Sequence, residues 1–296
     1  MGYMSVKEAA EKWGVSERSV RNYCASDRVY GAFLTGKTWN IPKDANKPAR
    51  QAKPKLVPPT LLEIIREEKE SKVQGRIYHK IQIELTYNSN RIEGSKLNHE
   101  QTRFIFETNT IGFNEKGINV DDIVETVNHF RCIDLIIEYA NYSLSESLIK
   151  KLHNTLKSGT SDSRKSWFAV GEYKKLPNEV GGQETALPEE VPVKMRNLLN
   201  AYKQKKQKTF DEILDFHYQF EKIHPFQDGN GRIGRLILFK ECLRAGIVPF
   251  IIDDEHKLFY YRGLREWENE KGFLRDTCLF AQDKFKKYLD YFRIDY

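Results

Sequence analysis

The chain has 296 residues, which is enough for one large domain and a small one. Hydrophobic residues make up 40% and aromatic residues 12% of the sequence, so a buried core is expected and wholesale disorder is excluded. The formal net charge of +6 favours an anionic partner, either a nucleotide or a nucleic acid, and does not decide between them.

The cysteine pattern and the lengths of the apolar runs indicate in which cellular compartment the protein is expected. The four cysteines are scattered and include no CxxC pair; they are Cys24, Cys132, Cys242 and Cys278. This pattern predicts neither a disulfide framework nor a zinc site, and it fits a reducing compartment. No stretch approaches the ~18 apolar residues of a membrane helix, and the first residues lack the pattern of a signal peptide. We therefore expect a cytoplasmic protein.

Residues 1–43 are predicted to begin with two short helices. Ser5 and Glu8 form a capping box. Four apolar residues then share one helical face: Val6, Ala9, Ala10 and Trp13. Gly14 turns the chain, and Ser16 is the expected N-cap of a second helix, whose inner face would carry Val20 and Tyr23.

The second helix would expose a polar surface made of Arg18, Arg21 and Asn22. The segment Gly31–Ile41 follows and reads as two short strands around a Gly-Lys turn. Residues 1–43 thus resemble the winged helix-turn-helix modules of MerR and excisionase type. The resemblance implies DNA as a partner. The alternative is a small helical domain that contacts only protein.

Residues 44–59 are rich in proline and lysine and are predicted to be an extended linker. Residues 60–296 are expected to be mainly helical, because apolar residues recur with helical spacing. The predicted helices are Leu61–Lys72, Tyr78–Asn90, Asn98–Glu107, Val120–Asn141, Glu146–Lys157, Val191–Lys203, Thr209–Ile223, Arg232–Arg244, Lys257–Glu270 and Gly272–Tyr291. The segment Gly171–Pro188 is too polar for a core helix and is flanked by short β-compatible runs.

A glycine-rich loop interrupts the helices after residue 223. Pro225 predicts that the preceding helix ends near His224. Because the Gly-Asn-Gly run of 229–231 is a poor helix former, we expect the next helix to begin at Arg232. The loop therefore joins the C-terminus of one helix to the N-terminus of another.

The residue types in this loop suit phosphate chemistry. Backbone N–H groups at a helix N-terminus attract anions, and glycines let a phosphate come close. Arg232 and Arg235 lie on one side of the first turn and could reach phosphate oxygens. Asp228 is the only carboxylate of the loop and the natural Mg²⁺ ligand. His224 has an ordinary pKa near neutrality and could act as general base. The alternative reading is a capped turn between two core helices.

The loop His224–Arg235 agrees with the signature H-x-F-x-[DE]-G-N-G-R-x-x-R, so the chain resembles Fic-type protein adenylyltransferases. The resemblance implies an all-helical fold with a short β-hairpin flap, and transfer of AMP from ATP to a hydroxyl of a target protein or of the chain itself. It implies that His224 deprotonates the hydroxyl and that Asp228 binds the metal ion. The residues it assigns to ATP binding are Phe226, Gly229, Asn230, Gly231, Arg232, Arg235 and, more loosely, Tyr261.

The segment Ser89–Gly94 resembles the inhibitory motif [ST]-x-x-x-E-[GN] of autoinhibited Fic proteins. Read alone, it is the end of a helix with Gly94 as C-cap. The resemblance implies that Glu93 pairs with Arg235 and occupies the place of the γ-phosphate. In some relatives this glutamate also positions a water that removes AMP from modified proteins, so de-adenylylation stays open as a second activity.

Two further assignments come from the resemblance. Gly171–Pro188 resembles the flap that takes a target segment by strand addition; its alternative is an ordinary surface hairpin. Tyr260, Tyr261 and Leu264 fall where relatives line the adenine pocket, and Tyr261 is the preferred contact. An asparagine that some relatives use there falls on Glu268.

Two rival functions remain. One is a DNA-binding transcription regulator whose Fic body only senses nucleotide; the intact His224 argues against it. The other is an enzyme that transfers phosphocholine or UMP instead of AMP. The intact pair Arg232 and Arg235 favours a nucleoside triphosphate as the donor. A homo-oligomer is compatible with a helix-turn-helix protein.

Overall fold

The computed structural model describes residues 2–49, 58–111 and 117–296. The chain divides into two compact units, Met1–Val57 and Pro58–Tyr296. Half of the predicted linker, residues 50–57, lies outside the described residues. Within the described ranges, no helix combines the length and the apolar character needed to span a membrane.

The N-terminal unit contains two helices and a three-stranded antiparallel sheet. The helices are α1 (Val6–Trp13) and α2 (Glu17–Ala25), and the strands are β1 (Tyr3–Met4), β2 (Phe33–Thr35) and β3 (Thr38–Pro42). The strand order is β1-β3-β2. The helices and the hairpin lie where the sequence predicts them, whereas β1 was not anticipated from its two residues.

Local signals explain the boundaries of α1 and α2. The side chains of Ser5 and Glu8 make the reciprocal bonds of a capping box, and Gly14 ends α1 in the left-handed conformation. The Ser16 side chain accepts from the backbone of Ser19 and caps α2. The inner face of α2 differs slightly from the expectation, because Val20 and Cys24 are its buried residues and Tyr23 is half-buried at the edge.

The C-terminal unit is helical apart from one short hairpin. Its helices are α3 (Leu61–Ser71), α4 (Ile77–Ile92), α5 (His99–Thr108), α6 (Val120–Glu138), α7 (Glu146–Lys157), α8 (Val191–Lys203), α9 (Phe210–Ile223), α10 (Asn230–Ala245), α11 (Lys257–Glu266) and α12 (Gly272–Phe292). The hairpin pairs β4 (Glu179–Val180) with β5 (Gln183–Glu184) inside the polar segment that sequence patterning set apart.

Helix α10 occupies the centre of this unit. It packs against α9, α6, α4 and α7, and almost every residue between Asn230 and Leu243 is buried. A helix that is buried on all sides carries no amphipathic pattern, and the neighbouring helices form the solvent-exposed surface of the unit. The N-terminus of α10 therefore lies inside the bundle, where surrounding helices can place side chains around it.

Among the predicted boundaries that differ from the structure, one is wrong by two residues at the start of α10 and one by four residues at the end of α11. Helix α10 begins at Asn230 rather than Arg232, because the Asn230 side chain bonds both the N–H and the C=O of Phe226 at 2.8 Å and fixes the first turn. Helix α11 ends at Glu266 rather than Glu270, since the chain turns at buried Trp267 before α12 begins.

Candidate functional site

The loop between α9 and α10 is held in one conformation by its backbone. His224 ends α9 in the left-handed conformation, with φ of 52°, and its N–H bonds to the carbonyl of Phe220. Gly229 precedes α10 with φ of 83°, a value that favours glycine. No side chain caps α10 at Gly229. The N–H groups of its first turn are therefore free of side-chain caps, as an anion site requires.

His153 of helix α7 contacts the loop between α9 and α10 and holds it in place. The His153 and Phe226 rings stack with centroids 4.0 Å apart and planes 3° apart. His153 Nδ1 accepts from the Gly171 N–H at 2.9 Å, so Nε2 carries the proton and donates to the Asp228 carbonyl at 3.2 Å. Burial lowers the pKa of His153 to about 4, so it stays neutral near pH 7. Phe226 is fully buried, as expected for an anchor of the loop.

Asp228 belongs to a dense cluster of charges. Its Oδ2 accepts from Lys157 Nζ at 2.6 Å and from Arg232 Nη2 at 3.3 Å. Arg232 Nη1 also bonds to Glu125, so this guanidinium is already engaged by two carboxylates. Burial opposes ionisation of Asp228, but Arg232 and Lys157 outweigh it and hold the pKa of Asp228 well below its ordinary value. The carboxylate is therefore ionised at neutral pH.

One oxygen of Asp228 suits a metal ion. Oδ1 receives no hydrogen bond from any side chain that the structure describes, and the Asp228 side chain is 47% exposed. Mg²⁺ is commonly held by one or two carboxylates together with substrate phosphates and waters. The donor set thus fits Mg²⁺ brought to Oδ1 next to the N-terminus of α10.

The predicted pair of Glu93 and Arg235 is in contact. Arg235 Nη2 lies 2.7 Å from Glu93 Oε1, and the guanidinium also bonds the side chain and the carbonyl of Ser89, each at 3.0 Å. Glu93 is the C-cap of α4, and Gly94 follows it with φ of 96°. A methyl group placed on Gly231 would lie 2.3 Å from Glu93 Oε1. The Glu93 carboxylate therefore sits directly over the first turn of α10.

The surroundings of His224 keep its ring neutral. Burial, and then the charge of Lys174, lower the pKa of His224 to about 4. Its Nδ1 lies 4.0 Å from Oε2 of Glu221. Burial also raises the pKa of Glu221 to about 8 despite the opposing influence of Arg235. At pH 7 the ring can accept a proton and its carboxyl neighbour is mostly uncharged.

The hairpin segment is tied to the loop at its base. The Lys174 N–H bonds the carbonyl of Pro225 at 2.9 Å, and the Asn178 side chain bonds the carbonyl of Phe226 at 3.2 Å. Lys174 Nζ is buried and donates to Asn178 Oδ1 and Thr185 Oγ1, each at 2.6 Å. The hairpin thus has a fixed position relative to His224.

The three residues suggested for the adenine pocket separate in the structure. Tyr260 is buried and bonds His217 at 2.7 Å, so it belongs to the core. Tyr261 is 43% exposed, and its hydroxyl donates to the carbonyl of Ile92 at 3.2 Å, beside Glu93. Leu264 is a partly buried member of the core around Tyr260. Glu268 pairs with Lys222 at 2.6 Å on the surface.

Sequence reasoning missed five residues around the loop: Glu125, His153, Lys157, Lys174 and Glu221. His153 and Lys157 carried a usable signal, since both lie on or beside the apolar face of α7 marked by Leu148, Leu152 and Leu156. A polar residue on such a face needs a buried partner. Glu125 could not be recognised, because its partners Lys157 and Arg232 come from distant helices. Lys174 and Glu221 have neighbours nearby in the chain, but no pattern in the sequence marked either residue.

A family model, curated proteins and solved structures that resemble this chain all belong to the Fic family. Residues 143–241 match the model of the Fic/DOC family. The Protein adenylyltransferase Fic of Drosophila mojavensis is 31% identical over 212 residues, which cover 69% of this chain and 40% of that protein. The chain thus spans about 40% of the length of the curated relatives it matches.

Two solved structures share the fold. A Fic domain containing signaling protein from Bacteroides thetaiotaomicron is 28% identical, with a TM-score of 0.59, over 78% of this chain and 90% of its own. A Fic family protein from Desulfovibrio desulfuricans superposes with a TM-score of 0.60 over 78% of this chain and 72% of its own; at 22% identity it supports the fold alone. The chain therefore contains a Fic/DOC-family domain, and the loop from His224 to Arg235 lies within it.

Proposed function

We propose that this chain is a protein adenylyltransferase that moves AMP from ATP onto a hydroxyl of a target protein or of itself. The observation that carries the proposal is the convergence of neutral His224, ionised Asp228 and buried Arg235 around the uncapped N-terminus of α10. The adenylyltransferase named among its relatives supports the same activity.

In the proposed reaction the target hydroxyl oxygen attacks the α-phosphorus of ATP. The bond from that phosphorus to the bridging oxygen breaks, pyrophosphate leaves, and His224 takes the hydroxyl proton. The first-turn N–H groups of α10 stabilise phosphate oxygens, and Arg235 would hold the γ-phosphate. Mg²⁺ bound at Asp228 would neutralise charge on the α- and β-phosphates.

We propose that Glu93 inhibits this reaction by occupying Arg235. Glu93 and a γ-phosphate would compete for the guanidinium of Arg235. The Glu93 carboxylate already lies 2.7 Å from that guanidinium, so a γ-phosphate would have to displace it. Loss of the γ-phosphate contact would leave ATP poorly aligned for in-line attack. De-adenylylation by the same loop is a second activity that this arrangement allows, with water as the nucleophile.

The test is transfer of label from α-³²P-ATP with Mg²⁺. Glu93→Gly should label itself or lysate proteins strongly, and Glu93→Gly/His224→Ala should not. Glu189→Gly, which changes an exposed glutamate elsewhere, is the matched control and should behave like the unmodified chain. Silence of Glu93→Gly with ATP, together with signal from γ-³²P-ATP, CDP-choline or UTP, would reassign the donor. Silence with every donor would favour a regulator that only senses nucleotide.

We also propose that the N-terminal unit binds DNA. Helix α2 buries Val20 and Cys24 on one side, and Arg18, Arg21 and Asn22 are exposed on the other. A short exposed basic helix of this kind suits a DNA groove. Fluorescence anisotropy of the full chain with duplex DNA at several salt concentrations tests this. Arg18→Ala should weaken binding and flatten the salt dependence, whereas a chain that binds no duplex at low salt would refute the proposal.

A further inference from the structure

Lys157 is a buried lysine at the centre of a group of charged side chains next to the loop. Its ammonium bonds Glu125 Oε1 at 2.5 Å, Asp228 Oδ2 at 2.6 Å and Asp162 Oδ2 at 3.2 Å. An ammonium has three N–H donors, so these carboxylates fill its capacity. The side chain is 2% exposed. Burial alone would lower the pKa of Lys157, but Asp228 and Glu125 raise it above its ordinary value, so the residue stays charged.

Lys157 constrains how Asp228 can bind a cation. Both Lys157 and Arg232 donate to the same oxygen, Oδ2. His153 stands one helical turn before Lys157 on α7 and holds the carbonyl of Asp228. The residue is thus fixed at its backbone and at one carboxylate oxygen. The other oxygen, Oδ1, has no bond to any side chain in the described part of the chain.

The charges of the group leave no net negative charge to attract a free cation. The three carboxylates, from Glu125, Asp162 and Asp228, are balanced by three cations, Lys157, Lys165 and Arg232. A divalent ion arriving alone would meet one carboxylate oxygen and a nearby ammonium of like charge. The same ion arriving with a triphosphate would bring its own anionic ligands.

We propose that Lys157 is a positioning residue that presents only Oδ1 of Asp228 to the metal ion and excludes divalent cations until they arrive with the nucleotide. This inference rests on the proposed function, because it assumes that Asp228 holds the metal of the ATP complex. A purely structural Lys157 would fill the buried space without setting the order in which metal and nucleotide bind.

The test is Mn²⁺ binding to the full chain, measured by electron paramagnetic resonance with and without a non-hydrolysable ATP analogue. The unmodified chain should bind Mn²⁺ at least about tenfold more tightly with the analogue than without it. Lys157→Met removes the ammonium and leaves three carboxylates around its place, so binding of free Mn²⁺ should tighten about tenfold or more. Lys157→Arg keeps the charge and should bind free Mn²⁺ as weakly as the unmodified chain.

Each comparison has an outcome that overturns the inference. Equal Mn²⁺ affinity of the unmodified chain with and without the analogue would do so, and this measurement stands even when Lys157→Met fails to fold. Equal gains in Lys157→Met and Lys157→Arg would show that charge is not the cause. Persistence of the gain in Lys157→Met/Asp228→Ala would place the ion elsewhere. Because no AMP transfer is read, failure of the proposed function and failure of this inference are separate results.

Discussion

The carboxylate of Glu93 and the guanidinium of Arg235 lie 2.7 Å apart, although 142 positions separate them in the chain. Arg235 is 3% exposed, so its charge needs a partner in the folded protein, and Ser89 supplies only neutral oxygens. Glu93 is therefore both a stabilising partner of Arg235 and the group that an incoming phosphate must replace. The two roles lead to a test that does not require catalysis.

Glu93→Ala should lower the free energy of unfolding by about 1–3 kcal/mol, because it leaves a buried guanidinium without a carboxylate. A non-hydrolysable ATP analogue should then raise the melting temperature of Glu93→Ala more than that of the unmodified chain, since the phosphate no longer competes with Glu93. Thermal unfolding with and without the analogue measures both effects. Glu189→Ala is the control, and equal shifts in all three proteins would contradict the competition.

Lys174→Met should raise the pKa of His224 from its value of about 4 toward the ordinary 6.5. The sign follows from charge: a nearby ammonium disfavours imidazolium, so its removal makes protonation easier. The acid limb of AMP transfer in the Glu93→Gly background should move to higher pH by the same amount. Titration of the ring by NMR measures the pKa directly. Lys175→Met changes an exposed neighbour of Lys174, and it should leave the pKa of His224 and the acid limb of AMP transfer unchanged.

Buried histidines should make folding sensitive to acid. The pKa of His153 is lowered to about 4 and that of His217 to about 3, in both cases chiefly by burial. A group with a depressed folded pKa contributes stability above its unfolded pKa, near 6.5, and loses it as pH falls toward the folded value. The unfolding free energy should therefore fall by several kcal/mol between pH 6.5 and pH 4. Urea unfolding across this range checks it, and a flat profile would contradict it.

His153→Phe separates stacking from hydrogen bonding beneath the loop. The new ring keeps contact with Phe226 but cannot accept from Gly171 or donate to the Asp228 carbonyl. We expect a loss of about 2 kcal/mol in unfolding free energy, since partly buried polar groups lose their partners. Transfer in the Glu93→Gly background should fall as well, because Asp228 is less firmly placed. His99→Phe, at a half-exposed histidine, is the control; similar losses in both variants would argue against a specific role.

Much of the fold could be predicted from the sequence, because local rules govern it. The helical spacing of apolar residues placed the ten helices of the C-terminal unit within a few residues, and the polar segment around the hairpin stood out by composition. The start of α10 was missed, since propensity alone makes Asn230 and Gly231 poor helix formers. Asn230 is helical because its side chain bonds the backbone of Phe226, a contact that propensity does not include.

The site could be predicted only where its chemistry lies in one short segment. His224, Asp228 and Arg235 stand within a single loop and helix turn, whereas Glu125 reaches Arg232 across 107 positions. Such long-range partners depend on how helices pack, and one sequence carries no record of that. Glu93 was predicted through a resemblance, and its contact with Arg235 agrees with the expected pairing; its inhibitory role stays a prediction.

Gly234 lies in α10 within the arginine pair of the signature, and its missing side chain leaves room for a carboxyl group. A methyl group there would lie 2.4 Å from Glu221 Oε1 and 2.7 Å from His217 Cε1. In an exposed helix, Gly→Ala stabilises by about 1 kcal/mol. Here overpacking should reverse the sign, so Gly234→Ala should destabilise by about 1–3 kcal/mol.

Chemical denaturation of Gly234→Ala measures the effect, with Gly272→Ala as the control. A methyl group on Gly272 meets only the flexible end of Glu270, so its effect should stay within about 0.5 kcal/mol. Glu221→Ser/Gly234→Ala shortens the crowded side chain and should recover part of the loss. A destabilisation that the double variant does not reduce would mean that the methyl group clashes with His217 rather than with Glu221. If Gly234→Ala were instead as stable as the unmodified chain, the carboxyl of Glu221 would not occupy the space beside Gly234 and His224.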